Sequence, residues 1–185
     1  LRGVREAADE FGVLVIADEV QSGIGRTGTL FACQTSGIRP DIIAMAKGLG
    51  GGFPVGAVIA SAEVGDAMTP GTHGSTFAGN PLAMAVAEVI LDEVSAPGFL
   101  DDVNRRRAVL HAALNGVAEK HREVVVEVRG RGFLCGVRLA DQLPAGDIVA
   151  ALRAEEELLE EEAGLVAAEQ SHQDASVDDE LPLIR

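Results

Sequence analysis

The sequence predicts an α/β fold in which helices cover a parallel sheet, followed by a smaller α/β domain. Three observations carry this reading. Val13–Ala17 is a continuous apolar run of the kind found in strands buried on both faces, which are typical of parallel sheets. Strand-like runs alternate with helical patterns up to residue 96. After Ala96-Pro97-Gly98, a long amphipathic stretch gives way to two more strand-like runs.

Taken in order, Val4–Phe11 reads as the end of an amphipathic helix, with Gly12 placed to stop it. Val13–Ala17 is the first strand; Pro40–Ala44 and Val55–Ala60 are the next two, with Gly-rich loops between them. Ser61–Met68 suggests a short helix begun by a Ser cap. Pro81–Val94 is a stronger helix, because proline in the first turn gives up an N–H that no helical carbonyl needs. The punctuation at Pro97 marks the expected domain boundary, dividing residues 1–96 from residues 97–185. Beyond it, Phe99–Lys120 is helical, Val124–Val128 and Phe133–Leu139 are strands around Gly130-Arg131-Gly132, and Ile148–Glu162 is helical again. An acidic tail from about residue 164 to residue 185 is expected to be disordered.

Composition narrows the function classes. The 185 residues are 47% hydrophobic and 24% charged, as in a globular protein. Apolar runs such as Val55–Ala60 fall far short of the ~20 residues a membrane-spanning helix requires, so no membrane segment is expected. The net charge is −14, and Ala154–Arg185 supplies most of it, with eleven acidic residues against one Arg. With no basic stripe, no Trp and no Tyr, a nucleic-acid surface is not expected. Cys33 and Cys135 form no CxxC pair, which argues against a zinc knuckle or disulfide framework and for a reducing cytoplasm. The chain opens at Leu1 without a Met, a basic n-region or an apolar h-region, and is read as a portion of a longer protein.

Three segments could carry chemistry. Asp18-Glu19-Val20-Gln21 follows the first strand, and ligands in open α/β sheets sit beyond the carboxyl ends of strands. In an extended chain Asp18 and Val20 share one face and Glu19 takes the other. An acid beside an apolar side chain suits a heteroaromatic ring, the acid holding a ring nitrogen protonated and the Val packing on the flat face. The plainer alternative is that Asp18 caps a turn or helix. Lys47 follows five apolar positions and precedes a run of glycines. Burial disfavours an ammonium, and a neutral amine is what a nucleophile needs; the plainer alternative is a Lys snorkelling from a strand end. In Gly74–Pro81, hydroxyls and free backbone N–H groups before a helix favour an anion such as phosphate, with Thr76 as the contact, while Asn80 can cap the helix. His73 lacks a second ligand at metal spacing, so no metal is assigned. Gly23–Gly28 matches GxGxxG, but a nicotinamide site needs a helix starting within the glycines and an acid about 20 residues on, and Asp41 comes too early.

Together these segments resemble the class III (ornithine/acetylornithine type) aminotransferases of the fold-type I pyridoxal-phosphate (PLP) enzymes. The resembling stretch runs from about Ala8 to Leu139, through Leu14–Gly23, Gly25-Arg26-Thr27-Gly28, Pro40-Asp41-Ile42, Lys47–Pro54 and Gly71–Leu82. Gly71–Leu82 and Val128–Gly132 are most similar to acetylornithine aminotransferases. The resemblance implies the C-terminal part of a large parallel-sheet domain plus a small C-terminal α/β domain. It implies pyridoxal 5'-phosphate as cofactor, carried by Lys47 as a Schiff base, with Lys47 then moving the proton between the substrate Cα and the cofactor. Asp18 would pair with the pyridine nitrogen, Val20 pack on the ring, and Gln21 hydrogen-bond near its phenolic oxygen. Thr76 would donate to the cofactor phosphate across a homodimer interface. The implied reaction is amino transfer from an acetylornithine-like donor to 2-oxoglutarate, in ornithine and arginine metabolism. The same residues would serve an aminomutase or an ω-transaminase, and a non-catalytic truncated chain is the reading from another class. Leu181–Arg185 only distantly echoes the family's carboxylate-binding Arg segment, so no substrate Arg is assigned.

Overall fold

The computed structural model describes residues 1–156. The chain falls into two compact units, Leu1–Arg138 and Leu139–Arg185. Helix α1 (Arg2–Phe11) ends where Gly12 turns left-handed at φ 64°, as its position suggests. Strands β1 (Ile16–Asp18), β2 (Ile42–Met45) and β3 (Ala57–Ala60) form one sheet in that order. Two helices of the first unit are capped from the sequence: the single turn α2 (Ala62–Gly65) by the Ser61 hydroxyl, which accepts from Val64 N, and the longer α3 (Pro81–Ser95) by Asn80 Oδ1, which accepts from Ala83 N at 2.9 Å. Helix α4 (Phe99–Lys120) and the hairpin of β4 (Val125–Arg131) and β5 (Leu134–Leu139) complete the first unit. In the second unit residues 145–156 are helical. The remainder of the helix expected to reach Glu162, and the tail from 164, lie outside the described residues.

Two expectations about the sheet are corrected. β1 and β2 are parallel, in register Ile16↔Ile42 to Asp18↔Ala44, but β3 runs antiparallel to β2. The connections explain the difference. The path from β1 to β2, residues 19–41, is long enough for the crossover a parallel pair demands, whereas residues 46–56 make only a short return. The second correction concerns burial. β1 is an edge strand, and Ile16 is 64% exposed, so the apolar run at 13–17 is not covered on both faces in this chain.

The core lies where the loops after β1 and β2 meet α3 and α4. Ile24, Met45 and Leu49 are buried with Ala87 and Val94 of α3, and Phe99 and Leu100 of α4 pack against them. Residues Ala83, Ala87, Ile90 and Val94 recur at helical spacing, which is why one face of α3 can serve this core. Phe99 and Leu100 thus share a core with residues that precede Pro97. The loop 25–28 is clamped on two sides. Asn104 Nδ2 on α4 donates to Gly28 O at 2.9 Å, and Phe133 N donates to Arg26 O at 2.9 Å. Gly132, at φ 61°, allows this approach; a Cβ there would stand 2.3 Å from Arg26 O and 2.5 Å from Thr27 Cα.

At the other end of β1, Asp41 Oδ2 accepts from Val15 N and from Arg5 Nη1, each at 2.7 Å. The Val15 amide first, and Arg5 second, hold its carboxyl below the usual range. The folded chain therefore keeps Asp41 ionised at a pH where the unfolded chain protonates it.

Two measurements check this account. Since the chain has no Trp or Tyr, unfolding is best followed by far-UV circular dichroism in urea. Gly132→Ala should lower the unfolding free energy by about 3 kcal/mol, and a loss within the error of the measurement would contradict the clamp. Asp41→Asn should be less stable than the unmodified chain above about pH 4, with the deficit vanishing as the pH falls through the folded carboxyl's range. A deficit that persisted unchanged in acid would show that ionisation of Asp41 is not what stabilises the contact.

Candidate active site at the carboxyl ends of two parallel strands

Asp18 is the last residue of β1 and is paired with Ala44 of β2; Glu19 N extends the ladder by donating to Ala44 O at 2.9 Å. β2 ends one residue later at Met45, and Lys47 opens a 3₁₀ turn, Lys47–Gly50. The acid and the amine therefore leave the same edge of two neighbouring parallel strands. Open α/β sheets bind ligands at this edge because the chain turns away there and leaves a crevice.

Asp18, Val20, Gln21 and Lys47 line one cavity of 460 Å³, together with Ser22 and Leu134. It borders a second cavity of 480 Å³ that shares Val20, Gln21, Lys47 and Leu134 and reaches Arg26 and Phe133. Each is of the size that small-molecule sites occupy. Four of the five residues singled out from the sequence are thus brought together. Thr76 is not: it sits on an exposed loop before α3, beside Phe77, which is 80% exposed.

The Asp18 carboxylate does cap a turn, accepting from Val20 N at 3.0 Å through Oδ1. That bond engages one oxygen and fixes the orientation of the group, so the turn-capping alternative and a role in the cavity are compatible. Lys47 differs from the expectation of a desolvated amine, since both it and Asp18 are exposed in this chain. The described walls come from two strand ends and the hairpin, and they leave the amine open to water.

Backbone strain concentrates at the same place. Lys47 has φ 44° and Ile24 has φ 52°, the two non-glycine residues with positive φ among the described residues, and both border the second cavity. A β-branched side chain in this region is disfavoured and persists only when packing holds it; Ile24 is 8% exposed and belongs to the core. The glycine after Lys47 eases that packing, because a Cβ on Gly48 would lie 3.3 Å from the Ile24 Cβ, close enough that Ile24 would have to shift by a few tenths of an ångström. The glycine run was expected to admit a ligand, and here Gly48 admits a protein side chain.

Sequence reasoning missed the residue that shapes the loop. Glu19 is 3% exposed, and its carboxylate accepts from Ser22 Oγ, from Ala32 N at 3.1 Å and from Cys33 N at 2.8 Å. Alternation had turned Glu19 away from Asp18, and the face it turns to is the interior. Phe133 and Leu134 were also missed as walls; more than eighty residues separate them from Lys47, and no local pattern announces the contact. The glycines at 23–28 lead into turns and then a 3₁₀ turn at Ala32–Ser36, with no helix starting among them, which agrees with setting the nicotinamide motif aside.

The chain is thus an α/β protein that brings a lysine and a carboxylate to adjoining ends of two parallel strands. The family model "Aminotransferase class-III" matches residues 1–167, and the chain belongs to that family. It is 50% identical over 155 residues to acetylornithine aminotransferase 1 of Bradyrhizobium diazoefficiens, covering 84% of this chain and 38% of that protein. It is 48% identical over 155 residues to acetylornithine aminotransferase of Rhodobacter capsulatus, covering 84% and 39%. Among solved structures, ornithine aminotransferase of Toxoplasma gondii matches with a TM-score of 0.75 and 38% identity, over 81% of this chain and 36% of that one. N-acetylornithine aminotransferase of Stenotrophomonas maltophilia matches with a TM-score of 0.65 and 39% identity, over 75% and 35%. The chain spans under two fifths of the length of these relatives.

The role given to Glu19 has a direct check. Glu19→Gln sets an amide N–H₂ against either the Ala32 or the Cys33 backbone N–H whichever way the amide turns, and should cost about 1–3 kcal/mol of stability in urea unfolding. No change would mean that the buried carboxylate does not hold the loop.

Proposed function

We propose that this chain carries the lysine-bearing portion of a pyridoxal-phosphate-dependent aminotransferase, acting on N-acetylornithine or a similar ω-amine as amino donor and on 2-oxoglutarate as acceptor. The observation that carries the reading is the gathering of Asp18, Val20, Gln21 and Lys47 in one cavity at the ends of parallel strands. The relatives named acetylornithine aminotransferase support the donor.

The residues fit the cofactor. A carboxylate fixed by its own turn can hold a pyridine nitrogen in its protonated form, an apolar Val beside it offers a surface for the ring, and a Gln amide can bond a phenolic oxygen. Bound pyridoxal phosphate supplies a protonated aromatic ring able to accept electron density from the substrate Cα when that carbon loses its proton. Lys47 would supply the amine that holds the cofactor and the base that carries a proton between the substrate Cα and the cofactor carbon. Asp18 would hold the ring nitrogen in its protonated form, because a carboxylate beside that nitrogen favours the cation, and a protonated ring is the better acceptor of electron density from the substrate Cα.

Thr76 stands apart on an exposed loop, and Phe77 beside it presents an apolar ring to solvent. Both suit a loop that reaches the cofactor phosphate of a second subunit in a homodimer. Cys33 and Cys135, both free, suit a reducing, cytoplasmic setting.

The test joins this chain to the preceding portion of the Bradyrhizobium enzyme and treats it with pyridoxal phosphate and borohydride. A reduced adduct should map to Lys47 and disappear in Lys47→Ala. Asp18→Asn should retain the adduct but lower amino transfer by about a hundredfold or more. Absence of adduct from the folded chimera would favour the non-catalytic reading, and a preference for another ω-amine over N-acetylornithine would move the chain to a different member of the same family.

A further inference from the structure

The two cysteines of the chain are both free and occupy opposite surroundings. Cys33 is 4% exposed, and burial first, with the Glu19 carboxylate second, pushes its thiol up. A thiol so placed is inert, because the thiolate is the reactive form. Cys135 lies half-buried on β5 and its Sγ is 3.1 Å from Nε2 of His111, on α4. The same ring nitrogen is 3.2 Å from Gly132 O, and Sγ donates to that carbonyl at 3.3 Å. Gly132 is itself wedged against the backbone of Arg26 and Thr27, so the carbonyl is held in place.

A nucleophile and a base within hydrogen-bond reach is the arrangement that activates a side chain for attack, and the Gly132 carbonyl is placed to accept from Nε2 once that nitrogen carries the proton. We propose that Cys135 and His111 form a nucleophilic thiol site that takes small disulfides, separate from the Lys47 cavity and independent of its chemistry. With the ring proton on Nδ1, Nε2 accepts the thiol proton, and the resulting N–H faces Gly132 O. The thiolate attacks one sulfur of the disulfide; the new Sγ–S bond forms as the old S–S bond breaks. The departing thiolate takes the proton back from Nε2. Cys135 ends as a mixed disulfide, the incoming disulfide is reduced to one thiol, and the imidazole is restored. The preceding residue, Leu134, lines the Lys47 cavity. Side chains alternate along a strand, so Leu134 and Cys135 serve opposite faces and the two sites do not compete for space.

The experiment exposes the 185-residue chain to glutathione disulfide at one pH and follows each cysteine by peptide mass, with no cofactor present. In the native chain Cys135 should form the mixed disulfide at least tenfold faster than Cys33, and faster than the same Cys135 in the urea-unfolded chain. His111→Gln, which can hydrogen-bond but cannot take the proton, should slow Cys135 about tenfold and leave Cys33 unchanged. A native Cys135 no faster than the unfolded one, or a rate unmoved by His111→Gln, overturns the proposal. Cys33 reports folding: if the variant makes Cys33 reactive it has unfolded, and the native-against-urea comparison on the unmodified chain then decides.

Discussion

A buried carboxylate with three donors organises the active edge of this chain. Placing an ionisable group at 3% exposure is costly unless its oxygens are satisfied, and Glu19 meets that condition by gathering the Ser22 hydroxyl and the amides of Ala32 and Cys33. This draws the loop after β1 back toward the 3₁₀ turn at Ala32–Ser36. Because neighbouring residues in an extended chain face opposite ways, burying Glu19 obliges Asp18 to face outward, into the cavity. The buried side chain thus determines where its exposed neighbour can point.

A second constraint works from a distance. The loop 25–28 is pinned by Asn104 from α4 and by the Gly132–Phe133 corner of the hairpin. Residues separated by more than a hundred positions thereby close the wall around Lys47. Ile24, held by the core in a left-handed conformation, stands beside Gly48, the residue that follows the lysine. The cavity is accordingly an outcome of tertiary packing, although its chemical groups come from two short segments.

Much of this was legible in the residues. Gly12, Ser61 and Asn80-Pro81 announce helix ends because each solves a local problem of unpaired backbone groups, which the sequence can show without knowledge of the rest. Asp18 and Lys47 were legible because an acid and an amine directly after apolar runs are chemically conspicuous. What escaped was decided by partners far along the chain. The antiparallel return of β3 depends on loop length and not on strand composition. The apolar run at 13–17 says what β1 could bury, and the edge position decides what it does bury. Phe133 and Leu134 look like ordinary strand residues until the hairpin brings them to the cavity, and the contact of His111 with Cys135 joins a helix to a strand 24 positions later.

The backbone at position 47 carries one further implication. A left-handed conformation favours glycine or asparagine, and an unbranched lysine held there gives up roughly 1–2 kcal/mol relative to glycine. Folding by itself would be better served by a smaller residue. Holding lysine there therefore draws on the stability that the core around Ile24 and Leu49 supplies, so the backbone at this strand end is kept in place by packing and not by local preference.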